Sequence, residues 1–151
     1  MVLSSDLVVA SPHAQFALPE VLRGLFAGAG GLARVVRNCG MQIGTEIALT
    51  GRRLCSEEAV KYNLVNSVAA TPESTLPEAL ELAKSIASMS PDAIIVSRAG
   101  LRQAWENGSV LDAIRATSDQ YSGALRSSEN LRIGLEAFAK KEKPQWVPSK
   151  L

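Results

Sequence analysis

Glu20 and the run Gly28-Ala29-Gly30-Gly31 are the residues of this chain whose types and spacing could carry a reaction. Glu20 follows Pro19 at the end of the apolar stretch Gln15-Phe16-Ala17-Leu18, and the first glycine of the run comes eight residues later. Glycines let backbone amides approach a ligand closely, and a helix that starts there presents free N–H groups. A carboxylate beside such a turn can move a proton on a bound substrate. Read alone, the same residues also fit a solvated glutamate after a proline and a helix-start turn with no ligand. The run is not a dinucleotide-binding fingerprint, because the spacing and the following acidic residue do not fit.

Short elements must position these residues. Leu7-Val8-Val9-Ala10 reads as a buried strand with a turn at Ser11-Pro12, and residues 15–18 read as a second strand closed by Pro19. Residues 30–38 place Leu32, Val35 and Val36 at helical spacing, and Gly40 ends that helix. Residues 41–49 repeat the pattern up to Gly51. Ser56 reads as a helix cap followed by Glu57 and Glu58, and residues 64–69 as a strand-like run.

Beyond Thr71 the pattern is helical. One face carries Leu76, Leu80, Ala83, Ile86 and Ala87. Ser90-Pro91 opens a helix with Ile94, Ile95, Ala99, Leu101 and Trp105, and Gly108 breaks it. Val110, Ile114, Thr117 and Tyr121 follow at helical intervals. A last helix from Ser128 is expected to bury Leu131, Leu135 and Phe138 before Pro144. Trp105 and Trp146 read as packing residues. The reading divides the chain into residues 1–71, residues 72–148 and the terminal tripeptide 149–151.

Bulk properties bound the function. A chain of 151 residues that is 46% hydrophobic suits one globular domain with a sizeable core. A net charge of +1 without a long basic run implies no nucleic-acid partner. Cys39 and Cys55 lack CxxC spacing and read as reduced thiols, and His13 is the one histidine, so a histidine-based metal site or triad is not expected. No apolar run is long enough to span a bilayer, and the first ten residues lack the flanks of a signal peptide.

The motifs taken together resemble the enoyl-CoA hydratase/isomerase (crotonase) family. The resemblance runs through Ser5-Asp6-Leu7-Val8-Val9-Ala10, Ala14-Gln15-Phe16-Ala17-Leu18-Pro19-Glu20, Gly28-Ala29-Gly30-Gly31, Leu49-Thr50-Gly51-Arg52, Ser56-Glu57-Glu58-Ala59, Leu64-Val65-Asn66, Ser90-Pro91-Asp92-Ala93 and the tail from Ala137 to Pro144. It is collinear and covers nearly the whole chain. It implies an α/β fold, part of a crotonase spiral lacking its N-terminal strands, with a helical trimer-forming C-terminal region. The family's first half, with its oxyanion-hole strand, glycine triplet and first catalytic glutamate, would precede Met1.

The resemblance also implies a chemistry. The substrate is an acyl-CoA thioester, with no separate cofactor and no metal. Reaction at the α- or β-carbon moves negative charge onto the thioester oxygen, where two backbone N–H groups stabilise it. Glu20 matches the second glutamate of the hydratases and the lone carboxylate of many isomerases. Pro19 and Gly28 line the pocket, with Ala27 where the family usually has proline. Phe138 and Lys141 match the CoA contacts of the last helix, though Glu142 replaces the usual arginine; packing for Phe138 and solvation for Lys141 are the alternatives. A homotrimer or hexamer is the family's assembly.

The chain ends Ser149-Lys150-Leu151, the tripeptide read by the peroxisomal import receptor. Three specified residues close a chain by chance about once in 8000. The reading is a peroxisomal enoyl-CoA hydratase or isomerase. The alternative is a non-catalytic fragment that keeps only the assembly and import surfaces.

Overall fold

The computed structural model describes residues 2–151. It divides into two compact units, one ending at Leu82 and one spanning Ala83–Leu151.

In the first unit β1 (Val9–Ala10) and β2 (Ser67–Val68) pair in parallel, Val9 with Ser67 and Ala10 with Val68. Asn66 extends the pairing. Its side-chain oxygen accepts from the Val8 N–H at 2.8 Å and its own N–H donates to Val8 O at 2.9 Å. Both strands lie inside the runs that the sequence assigns, but are shorter. The predicted strand at 15–18 does not form. Phe16 makes a single antiparallel bridge to Leu54, through bonds of 3.0 and 2.8 Å. A ladder needs successive partners, and Leu54 is followed at once by helix α3 (Ser56–Lys61), while Pro19 brings no N–H of its own.

Helices α1 (Gly31–Cys39) and α2 (Met41–Thr50) meet at Gly40, which ends one and opens the other. They pack closely at Gly44, where a Cβ would lie 3.1 Å from Val36 Cγ2. Val35 and Ile47 from this pair join Ala10, Leu54, Ala59, Leu64 and Val65 in the core. An apolar cavity of about 200 Å³, lined in part by Leu18, Val35 and Leu54, lies beside it.

Ser56 is not the cap that the sequence suggests. Cys55 occupies the cap position, and Ser56 is fully buried, its hydroxyl 2.6 Å from Ser11 O and 3.1 Å from Ala14 O. The hydroxyl answers the carbonyls of the 11–14 turn instead of the helix's own amides. The Glu58 carboxylate reaches back to the Cys55 N–H at 3.1 Å. Arg52 clamps the approach to this helix, donating to Glu58 at 2.8 Å and to Glu46 at 2.6 Å.

Helix α4 (Thr75–Ala87) carries the unit boundary, and none of its residues is buried; the expected face at Leu76 and Leu80 is exposed. The helical unit continues through α5 (Pro91–Glu106), α6 (Val110–Thr117), a wide π turn at Ser118–Ser122, α7 (Gly123–Arg126) and α8 (Glu129–Lys140). Ser90, Ser109 and Ser128 cap α5, α6 and α8 with their side chains. Gly100 of α5 faces Thr117 of α6, where a Cβ would lie 3.4 Å from Thr117 Cγ2.

Helix α8 corrects the sequence reading. It buries Asn130 and Ala137, while Leu135 and Phe138 are 62% and 86% exposed. Its inward stripe is Asn130, Gly134 and Ala137, small or polar residues that hydrophobic periodicity passes over. Trp146 fills the space over Gly134, where a Cβ would lie 3.1 Å from Trp146 Cη2, and its indole N–H donates to Ser88 O at 3.0 Å.

Candidate functional site

Glu20 sits in a short 3-10 turn, Pro19–Arg23, between the Phe16–Leu54 bridge and the glycine run. Pro19 suits the first position of the turn, since its missing N–H would have no partner there. Gly24, with φ of 70°, closes the turn, and the Leu25 N–H donates to Glu20 O at 3.0 Å.

Two glycines fix where the turn lies. Gly31 admits Leu18, where a Cβ would stand 3.3 Å from Leu18 Cδ2 and 3.1 Å from the Ala27 side chain. Gly51, with φ of +64°, admits Leu22, where a Cβ would stand 2.8 Å from Leu22 Cγ. The residues on either side of Glu20 are thus held against the start of α1 and the end of α2. The Glu20 side chain itself is half-buried, and its Oε2 is buried with no hydrogen-bond partner among the described residues. A carboxylate oxygen removed from water and left without a donor is costly, so such groups call for an explanation.

The glycine run is more selective in its donors than its composition suggests. The Gly28 N–H already donates to Phe26 O at 2.8 Å, and the Phe26 ring covers Gly28 so closely that a Cβ would lie 2.8 Å from Cε2. Gly30 takes φ of 86° as the cap of α1, and no side chain caps this end. The Arg34 N–H makes the first intrahelical bond, to Gly30 O at 3.2 Å, so the N–H groups of Gly31 and Leu32 lie outside the helix's own ladder. The structure therefore gathers Pro19, Glu20 and the glycine turn in one unit, with Phe26 75% exposed between them.

Phe138 and Lys141 belong to the helical unit. Phe138 projects from α8 into solvent, and Lys141 caps the helix in a left-handed conformation with φ of 57°. Both are exposed, and no packing role holds Phe138 among the described residues. Trp146 packs as expected and Trp105 is half-buried.

A second carboxylate escaped the sequence reading. Asp92 is 2% exposed, and its Oδ2 accepts from Asn130 Nδ2 at 3.0 Å. Burial pushes the carboxyl up, but the Ser149 hydroxyl, the Asn130 amide and the Ser128 hydroxyl outweigh it and hold Asp92 below the usual carboxylate range. Of these, only Asn130 bonds with full geometry; Oδ1 has no such partner. The sequence shows Asp92 only as a favourable acid after a Ser-Pro helix start, which gives no sign of burial.

Among the described residues no group of three His, Cys, Asp or Glu could hold a metal, and no helix is long and apolar enough to cross a membrane.

A family model described as enoyl-CoA hydratase/isomerase matches residues 1–149. The chain is 44% identical over 151 residues to the mevalonyl-coenzyme A hydratase of Aspergillus fumigatus, covering 100% of this chain and 56% of that protein. It is 34% identical to the 2,3-dehydroadipyl-CoA hydratase of Escherichia coli, over 97% of this chain and 56% of that one. The crystal structure of an enoyl-CoA hydratase from Mycobacterium tuberculosis matches with a TM-score of 0.88 and 32% identity, over 97% of this chain and 57% of that one. The chain thus spans little more than half the length of the relatives it matches.

Proposed function

The chain belongs to the enoyl-CoA hydratase/isomerase family and carries a partial crotonase-like fold, and on that basis we propose that it serves an acyl-CoA hydratase in which Glu20 transfers the proton at the α-carbon. The observation that carries this reading is the buried, unpartnered Glu20 Oε2 in a turn pinned by two glycines. The pinned turn fixes the main chain that carries the base, and a rotation of the Glu20 side chain that uncovers Oε2 brings it to a substrate C–H. As the α-proton moves, charge develops on the thioester oxygen, and backbone amides stabilise the enolate. Pro19 sets the direction of the Glu20 turn, and the Gly28 turn lines the reacting end of the acyl group. Phe138 and Lys141, exposed on α8, suit an adenine ring and a phosphate.

Hydration and dehydration at the β-carbon are favoured over double-bond isomerisation because both curated relatives named above are hydratases. Mevalonyl-CoA, with its hydroxyl β to the thioester, is the first substrate to try. Assembly into trimers or hexamers suits the exposed apolar side chains of the helical unit, among them Leu101, Leu135 and Phe138. The terminal Ser149-Lys150-Leu151 supports a peroxisomal location through the import receptor.

The test supplies the N-terminal part of the family domain in the same chain and assays three reactions. Hydration of crotonyl-CoA and dehydration of mevalonyl-CoA are expected, without a 3-enoyl to 2-enoyl shift. Turnover in the shift alone would make the protein an isomerase. Turnover in none would leave the non-catalytic fragment. A fluorescent reporter ending in residues 145–151 should enter peroxisomes and lose that address when Leu151 is deleted; a diffuse reporter rejects the location.

A further inference from the structure

The last residues of the chain carry no regular structure, yet they are fastened at successive points. Trp146 is anchored by its bond to Ser88 O and by its place over Gly134. Val147 is gripped as if by a strand. Its N–H donates to Asn130 Oδ1 at 3.0 Å, and its carbonyl accepts from Asn130 Nδ2 at 2.9 Å. The other Nδ2 hydrogen goes to Asp92 Oδ2, so both amide hydrogens of Asn130, 1% exposed, are used.

Beyond this grip the chain turns back. The Leu151 N–H donates to Ser149 Oγ at 3.1 Å. That bond leaves the Ser149 hydroxyl proton free to donate, and the nearby hydroxyl helps to hold the Asp92 carboxyl below its ordinary range, although Oδ1 has no hydrogen-bond partner among the described residues. The tail and α8 enclose a cavity of about 250 Å³ lined by Asp92, Ser128, Asn130, Lys150 and Leu151, among others. Only Lys150 of the tripeptide is exposed; Ser149 and Leu151 are half-buried.

We propose that the C-terminal tripeptide is latched: the Asp92–Asn130 pocket binds the chain's own Ser149-Lys150-Leu151, and a receptor that reads the C-terminus must compete with that pocket. The proposal rests on the targeting role given to the tripeptide above. A receptor that captures a terminal carboxylate and the side chains before it needs the peptide extended. Here the chain turns back on itself through the Leu151–Ser149 bond, and Lys150 and Leu151 line the same cavity as Asp92 and Asn130. Past the grip on Val147 only residues 148–151 remain, a reach of roughly 14 Å when fully extended. When a competent state is only partly populated, apparent affinity falls by that fraction. One or two net hydrogen bonds in the latch hold the free fraction to roughly a tenth.

The experiment compares receptor binding by the 151-residue chain with binding by the free peptide of residues 145–151, in competition against a labelled peptide. The free peptide is expected to bind about tenfold more tightly. Val147→Pro removes the N–H that Asn130 holds without touching any helix, and Asp92→Asn weakens the acceptor that orients the Asn130 amide. Each is expected to close most of the gap, with the Val147→Pro peptide as reference for the first. Equal affinities of chain and peptide overturn the latch. A peptide that fails to bind overturns the targeting reading instead. The latch is then judged by carboxypeptidase release of Leu151, expected to be slow in the chain and faster in Val147→Pro; equal rates overturn it.

Discussion

Each unit holds one carboxylate with a buried oxygen that lacks a full hydrogen bond, Glu20 Oε2 in the first and Asp92 Oδ1 in the second. Their surroundings differ. Asp92 is met by the Asn130 amide on one oxygen and faced by the Ser149 and Ser128 hydroxyls, and these hold it ionised. Glu20 is set in place through its backbone, by the bond from Leu25 and by Leu18 and Leu22 packed against glycines. The contrast separates two uses of one functional group. A carboxylate surrounded by donors ties elements together, whereas one positioned by its main chain and left without a donor fits the proton-transferring role proposed for Glu20.

The largest stability effect is expected in the helical unit. Asn130→Ala removes the bonds to Asp92 and to both backbone groups of Val147, and leaves a buried carboxylate without its amide. A loss of about 3 kcal/mol is expected. Both tryptophans lie in this unit, so the unfolding midpoint read by their fluorescence should fall. An unchanged midpoint would mean that Asp92 is not a structural tie.

Gly51→Ala should disturb the other unit by less. A side chain there meets Leu22 and must adopt φ of +64°, so a loss of about 1–2 kcal/mol is expected. Burial pushes the Cys39 thiol pKa up, which slows its modification, while Cys55 is exposed. Loosening the unit should speed modification at Cys39. Gly108→Ala, where nothing lies within 4 Å of the added carbon, is the control, with a change within about 0.5 kcal/mol.

The smallest effect concerns pH. Asp92 titrates below its ordinary range in the folded chain. Its contribution is therefore full above the unfolded pKa of about 3.9 and is lost as pH falls through the lower native value. The fluorescence-monitored stability should decline in that acid window, and the decline should flatten in Asp92→Asn. Equal acid sensitivity in the variant would reassign the titration to other carboxylates.

Much of the frame was legible. The glycines at 40 and 51, the caps at Ser90 and Ser128, and the helices they bound follow from local backbone rules. The order of motifs carried the family. What stayed hidden depends on neighbours distant in sequence. Residues 15–18 have strand composition but find one partner at Leu54. Ser56 has cap chemistry but turns to Ser11 and Ala14, some forty positions away. Leu135 and Phe138 have core composition, yet the inward stripe of α8 is set by Asn130, Gly134 and the tail that covers them. Glu20 could be singled out as a carboxylate, but its buried, unpartnered oxygen could not, because burial of one atom is a tertiary property.

The division between the two carboxylates is tested most directly by Glu20→Gln, made in a chain that contains the N-terminal part of the family domain, with turnover and melting temperature measured on the same sample. Gln keeps the shape and removes the charge and the basicity. Turnover is expected to fall by about 10²–10⁴, while the melting temperature holds, since Oε2 makes no hydrogen bond that the substitution would break. Near-normal turnover, or a fall in turnover matched by a fall in melting temperature, would contradict the assignment of Glu20 as the proton-transferring group.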